Sequence, residues 1–267
     1  MRRNKSVEAL IIGLLLAAIF LSLSPIFKPL LKTFIDSEMI VSKGAHIIAC
    51  AFMGIIIYIV HKFIIPLITD NELKRPCFRE SAAGFVAVVS VMVVIKSLST
   101  IVNSFIDCSL ITAGNIEAGY SQLDLPEKIV VLVSTSIAVP LIEEIIFRGI
   151  VFGALNKLFN LHIAAAASAL LFGVLHGMSL FTVIGTGLMG LILAYIYGIY
   201  GNLGNAIFAH GAYNFIVSVS AMIGEKSIAS ADSPSTWPVI ALSIIMIVLY
   251  GYIIRHIIKL LKKDLKK

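Results

Sequence analysis

The amino-acid sequence predicts an all-α, polytopic integral membrane protein of about eight transmembrane helices. Three observations carry that prediction. Hydrophobic residues make up 59% of the 267 and charged ones only 13%, whereas a soluble domain carries about a quarter charged residues. The mean hydropathy is +1.00. The apolar residues fall in runs of roughly twenty, the length a helix needs to cross a bilayer, with short polar breaks between them.

The runs lie at roughly 8–27, 44–61, 81–104, 128–157, 161–180, 181–200, 203–221 and 238–258. The first follows Met1-Arg2-Arg3-Asn4-Lys5, a start like that of a signal peptide. Leu21-Ser22-Leu23-Ser24-Pro25 is a poor cleavage site, so a retained span is expected. After the second run, segment 62–80 carries charges, Pro66 and Pro76, and reads as a hinge. The third contains Lys96, expected to snorkel outward or to pair with a neighbouring helix. Segment 105–127 reads as a polar outer loop. The fourth run is too long for a straight span, and Pro140 within it predicts a kink. The sixth carries Gly185, Gly187 and Gly190, which suit close helix approach. His46, His61, His162 and His256 lie near span ends and read as interfacial. Tyr195, Tyr197, Tyr200, Tyr250, Tyr252 and Trp237 read as interfacial or packing residues. These elements form one membrane domain in three parts. Residues 1–127 hold three leading helices, a scaffold or gate; 128–221 hold the core that carries the chemistry; 222–267 hold the last helix and a basic tail.

Charge sets the expected orientation. With both termini on one side, that face collects Arg2, Arg3, Lys5, Lys62, Lys74, Arg75, Arg79, Arg148, Lys157, Arg255, Lys259, Lys262, Lys263, Lys266 and Lys267, 15 of the 21 Lys and Arg. The opposite face receives Lys28, Lys32, Lys43, Lys128 and Lys226. The positive-inside rule makes the first face cytoplasmic, in the cell membrane. The basic tail is expected to rest on anionic lipid, and no nucleic-acid partner is expected, since no aromatic reading surface accompanies it. Cys50, Cys77 and Cys108 fall in a span, a cytoplasmic loop and an outer loop, so no disulfide or metal framework follows from them.

The chemistry is concentrated in three short patterns on successive runs: Glu143-Glu144-x-x-x-Arg148, Phe172-x-x-x-His176 and His210-x-x-x-Asn214. An ionised side chain at the bilayer centre costs ~2.5–3.5 kcal/mol or more, so three on one helix imply partners or a function. Residues four apart share a helix face, which pairs Glu144 with Arg148 and His210 with Asn214. Glu143 is turned about 100° from Glu144, which suggests a held Glu144 and a working Glu143. Glu143 lies 17 residues before the polar break at Asn160, and His176 lies 16 after it. In an antiparallel hairpin the two arrive at one depth. A carboxylate in an apolar site is a general base for water, imidazoles orient water and carry protons, and an Asn amide donates to an oxyanion. Together they describe peptide hydrolysis by an activated water. No His-Glu-x-x-His is present, no Asp lies in a span, and Ser179 has no nucleophile elbow around it. A zinc ion held by Glu143, His176 and His210 is the chemical rival; the metal-free reading is preferred.

The three patterns resemble those of the CPBP family of membrane proteases, which includes the type II CAAX prenyl endopeptidases and the Abi proteins of bacteriocin processing and immunity. The family pattern is two adjacent Glu followed by Arg, then Phe-x-x-x-His, then His-x-x-x-Asn or Asp, and all positions match. The resemblance covers roughly 128–221. It implies an eight-helix endopeptidase in which Glu143 and His176 activate water while His210 and Asn214 form an oxyanion site, with a glutamate-type mechanism favoured over a metal-dependent one. Glu144 and Arg148 hold the geometry. The substrate would be a peptide or protein, lipidated or not: a CAAX tail, a pheromone or a bacteriocin leader. The alternative is a non-catalytic membrane protein that binds a partner for immunity or regulation. A transporter or proton relay is disfavoured, because the ionisable groups cluster.

Overall fold

The computed structural model describes residues 2–64, 74–105, 120–177, 179–224 and 236–264. Among these the chain forms eight helices and no strands: α1 (Arg2–Lys32), α2 (Glu38–Ile59), α3 (Phe78–Asn103), α4 (Leu125–Leu158), α5 (Leu161–His176), α6 (Leu180–Tyr200), α7 (Leu203–Gly224) and α8 (Thr236–Asp264). Seven contain a stretch long and apolar enough to cross a membrane; α5 does not, having 16 residues. The sequence predicts a span over 161–180 there. Gly177 leaves the helical conformation and the Ser179 hydroxyl accepts from Thr182 N–H to start α6, so the hairpin turns early.

Polar side chains set the helix starts. Ser37 caps α2 and Asn160 caps α5. Asp124 and Glu127 form a reciprocal capping box that begins α4 three residues before the predicted 128. Gly201, at φ 60°, ends α6 in the left-handed region that glycine tolerates.

The kink predicted at Pro140 takes a specific form. Helix α4 is continuous but contains two wide π turns, Ser134–Ala138 and Ile145–Phe152. Proline has no N–H and its ring crowds the carbonyl four residues back, here that of Ser136, so the ladder widens just before it. That carbonyl lies against Gly211 of α7, where a Cβ would approach it to 2.4 Å.

Helix α2 runs parallel to α4. The Ser37 hydroxyl donates to the Glu127 carboxylate near their starts, and Gly54 packs on Ile142 further along. Helix α1 packs on the second half of α4, Gly13 facing Ile150 and Val151. The α5–α6 hairpin closes at Gly173, where a Cβ would stand 2.6 Å from the Val183 carbonyl. At the opposite end, residues 74–77 are pinned to the start of α7. Asn202 Nδ2 donates to the Arg75 carbonyl (3.0 Å), and Asn205 Oδ1 accepts from Cys77 N–H (2.7 Å) and the Ser81 hydroxyl (3.0 Å). The described part of the expected hinge is therefore anchored. Its Pro66, most of the 105–127 loop, Cys108, Lys226, Lys266 and Lys267 lie outside the described residues.

One expectation about charge changes and another is met. Arg148, counted with the cytoplasmic face, is fully buried inside the bundle and leaves fourteen residues there. Lys96 is exposed on the surface of α3, as snorkelling requires.

Candidate active site

Helix α4 brings Glu143 and Glu144 into the bundle between its wide turns and Arg148 within the second of them. The fall in exposure around them is graded: side-chain accessibility is 25% at His176, 9% at Glu143, 3% at His210 and 0% at both Glu144 and Arg148. The group is a funnel in polarity, open at His176 and closed at Arg148.

At the closed end, Arg148 Nη1 lies 3.0 Å from Glu144 Oε1, the pair expected from the four-residue spacing. The guanidinium makes no aligned hydrogen bond there. Its carbon instead sits 4.2 Å from the centre of the Phe172 ring, a cation–π contact that offsets part of its desolvation. Gly190 of α6 makes room for it: a Cβ would stand 3.2 Å from both Arg148 Nη2 and Phe172 Cδ1. Phe172 also stacks on His176 (4.1 Å between centres) and presents an edge to His210 (6.0 Å) and Phe147 (5.1 Å).

At the open end, His176 Nε2 is 3.0 Å from Glu143 Oε1, and His176 Nδ1 is 2.7 Å from the Phe172 carbonyl. A carbonyl only accepts, so Nδ1 carries a hydrogen. The contact to Glu143 then needs one further proton, held by the imidazole or by the carboxyl. Glu143 and His176 thus share a proton that can move. His210 Nδ1 is 2.9 Å from Glu144 Oε1 and donates to it. This leaves His210 Nε2 with a lone pair, 3.9 Å from Glu143 Oε2, too far for a direct hydrogen bond. One imidazole therefore touches Glu144 and faces Glu143. Glu144 is held by Arg148 while Glu143 faces the open end, and His210 joins the two.

Asn214 lies elsewhere. Its Nδ2 donates to the Thr135 carbonyl (2.9 Å), freed by the first wide turn, and Thr135 Oγ1 meets the Ser218 hydroxyl at 3.1 Å. The structure thus brings Glu143, Glu144, Arg148, His176 and His210 together, and seats Asn214 on the α4 backbone nearer its start. Zinc has a chemically suitable donor set in Glu143, His176 and His210. Here, however, these side chains bond to one another, and among the described residues no group of three or more His, Cys, Asp or Glu is placed to hold a metal ion.

One residue was misread from the sequence. His46 is half-buried on the inner face of α2, with Nδ1–H donated to the Ser42 carbonyl at 2.7 Å. The stripe Lys43, His46, Cys50, Met53, at steps of three and four, was the available signal.

Residues 125–216 match the family model described as type II CAAX prenyl endopeptidase Rce1-like. Over 88 residues the chain is 35% identical to a protein of Bacillus subtilis (strain 168) named "Putative membrane peptidase YdiL", an alignment covering 33% of this chain and 36% of that protein. The chain thus spans about a third of the length of the curated relative it matches. No solved structure matches. The matched segment holds all three motifs, so the resemblance to CPBP proteases stands for that part of the chain. Both comparisons point to a membrane protease.

Proposed function

We propose that the protein is an intramembrane endopeptidase that hydrolyses a peptide bond with a water activated on Glu143. The observation that carries this reading is the 3.0 Å contact of Glu143 with His176 beside His210 Nε2, which faces the same carboxylate at 3.9 Å. A water touching Glu143 Oε2 and His210 Nε2 is held by two acceptors, with its oxygen free to attack. Glu143 takes one proton from that water as the new C–O bond forms. The His176 Nε2–H is then available to the developing oxyanion. Glu143 returns its proton to the leaving amine, the C–N bond breaks, and the proton inventory is restored.

Glu144 and Arg148 act one layer deeper. Their pair fixes His210 in the tautomer that presents Nε2 as an acceptor, as an orienting carboxylate does for a catalytic imidazole. Asn214 retains a second amide hydrogen beyond the one bound to Thr135, and this is the proposed further oxyanion donor. No step uses a metal. Purified active protein is expected to contain metal well below one ion per chain and to survive chelation. One tightly bound zinc per chain, with activity lost on its removal, would reverse that choice.

Proposed substrates are peptides or proteins within reach of the membrane: a CAAX-type tail, a pheromone precursor or a bacteriocin leader. The proposed setting is the cell membrane with both termini cytoplasmic, which reporter fusions at the C-terminus test; an external C-terminus contradicts it. The deciding experiment compares membrane peptidomes of cells carrying wild-type protein and Glu143→Ala. Fragments that vanish in the variant are expected. Identical peptidomes would favour a non-catalytic binding protein.

A further inference from the structure

Helix α4 cannot complete its own hydrogen bonding around the buried Pro140. In the first wide turn the Val139 N–H reaches back five residues, to the Ser134 carbonyl. The same spacing one residue further on would pair the Thr135 carbonyl with the N–H of residue 140, and proline has none. An ordinary α turn would pair Thr135 with Val139, whose N–H is already used. The Thr135 carbonyl is the acceptor that the wide turn and the proline together leave over. Inside the bundle such a carbonyl needs another donor.

Helix α7 supplies it. Asn214 Nδ2 donates to the Thr135 carbonyl at 2.9 Å. Thr135 Oγ1 gives its own hydrogen to the Val131 carbonyl at 2.9 Å, so the buried Ser218 hydroxyl, 3.1 Å away, is the donor between those two side chains. Asn214 and Ser218 stand one turn apart on α7, and Thr135 is held at both of its oxygens. Gly211, one turn earlier, lets the helices come this close, since a Cβ there would stand 2.4 Å from the Ser136 carbonyl. The freed carbonyl fixes orientation as well as place. Turned over, the amide would set Oδ1 against the carbonyl oxygen, two acceptors with no hydrogen between them. Nδ2 therefore faces Thr135, and its second hydrogen points away in the plane of the amide.

We propose that Pro140 is a positioning residue for Asn214: the N–H it lacks keeps the Thr135 carbonyl open, and that carbonyl sets the Asn214 amide with one hydrogen left to donate. Any other residue at 140 brings a competing donor. With the wide turn kept, the new N–H meets the Thr135 carbonyl; with the turn tightened to an α turn, the Val139 N–H meets it. Asn214 then shares or loses its acceptor in both cases. The seat itself stands on the geometry; its bearing on turnover rests on the endopeptidase reading, in which the remaining amide hydrogen serves the oxyanion.

The test uses the full chain in lipid nanodiscs, labelled with nitrogen-15 at asparagine, and reads the side-chain amide signals by NMR. The Asn214 pair is identified by its loss in Asn214→Ala. Its bonded hydrogen is expected downfield of its partner, and in Pro140→Ala it should move upfield toward the position of an unbonded amide. Pro140→Val restores the N–H while filling the space of the ring, and should do the same. A shift seen with Ala but not with Val would trace to lost packing and overturn the proposal. Turnover is read on a synthetic peptide spanning a cleavage found in the Glu143→Ala peptidome comparison. Pro140→Ala should lower kcat by about tenfold with KM little changed, less than the loss of a whole oxyanion donor. Its melting temperature should stay at or above that of wild type, because the helix regains an N–H. In an Asn214→Ala background the same substitution should cost nothing further. An unmoved Asn214 signal, a kcat unchanged by Pro140→Ala, or losses that multiply in the double variant overturns the proposal. A signal that moves as expected, in a protein that cleaves no peptide, sinks only the endopeptidase reading.

Discussion

Glu143 and Glu144 are neighbours in the chain and occupy opposite kinds of place. Glu144 sits in a closed nest with Arg148 and His210, walled by Phe172 and Gly190, with no exposure at all. Glu143 stands at a rim, against a His176 that is a quarter exposed. Burial in the nest makes the Glu144–Arg148 pair an architectural commitment, since removing either charge strands the other. The rim leaves Glu143 a partner with which it can exchange a proton. The difference teaches that adjacent acids divide labour through what surrounds them, with His210 as the link that keeps the two in register.

The largest effect expected from breaking this contrast is on turnover at the rim. Glu143→Gln keeps size and hydrogen bonding but cannot accept a proton, so the rate of peptide release should fall by ~10²–10⁴-fold. The melting temperature should stay near that of wild type. A variant that cleaves normally removes Glu143 from the mechanism.

In the nest the loss should appear as stability. Glu144→Gln and Arg148→Gln should each cost ~3–5 kcal/mol, seen as lower expression and melting temperature. The double substitution should cost less than the sum of the two, because no charge is then stranded. If Glu144→Gln is stable and inactive while Glu143→Gln works, the two roles are exchanged.

Asn214 tests whether the rim extends to α7. As an oxyanion donor its loss should lower kcat by ~10²-fold with KM little changed. Asn214→Ala that instead lowers melting temperature, with kcat kept, would limit Asn214 to holding the Thr135 carbonyl. The smallest effect belongs to the wall of the nest. Gly190→Ala places a methyl 3.2 Å from Arg148 and Phe172, an overpacking that should cost ~1–3 kcal/mol in thermal unfolding and spare the chemistry of molecules that remain folded.

Much of this contrast was legible before the fold. Nearly equal counts from Asn160 put Glu143 and His176 at about one depth, and helix periodicity paired Glu144 with Arg148. The wide turns were not legible beyond the hint of Pro140, because widening is a backbone response to neighbours as well as to sequence. They are what presents the Thr135 carbonyl to Asn214. His46 escaped for a different reason. Near a span end, a histidine on a lipid-facing surface and one on an inward stripe look alike until the partner helix is known. The Asp124–Glu127 cap was written in the sequence as an Asp followed three residues later by Glu, and would have placed the start of α4 correctly.

The early end of α5 has a consequence for the lipid around it. Sixteen residues rise about 24 Å, against ~30 Å of hydrocarbon in a typical bilayer. Acyl chains beside α5 must shorten their reach or leave a wetted notch, and either response brings headgroups and water closer to His176. Hydrophobic mismatch at one short helix thus thins the barrier between His176 and the aqueous phase, and couples the surroundings of the rim to the thickness of the membrane that holds it.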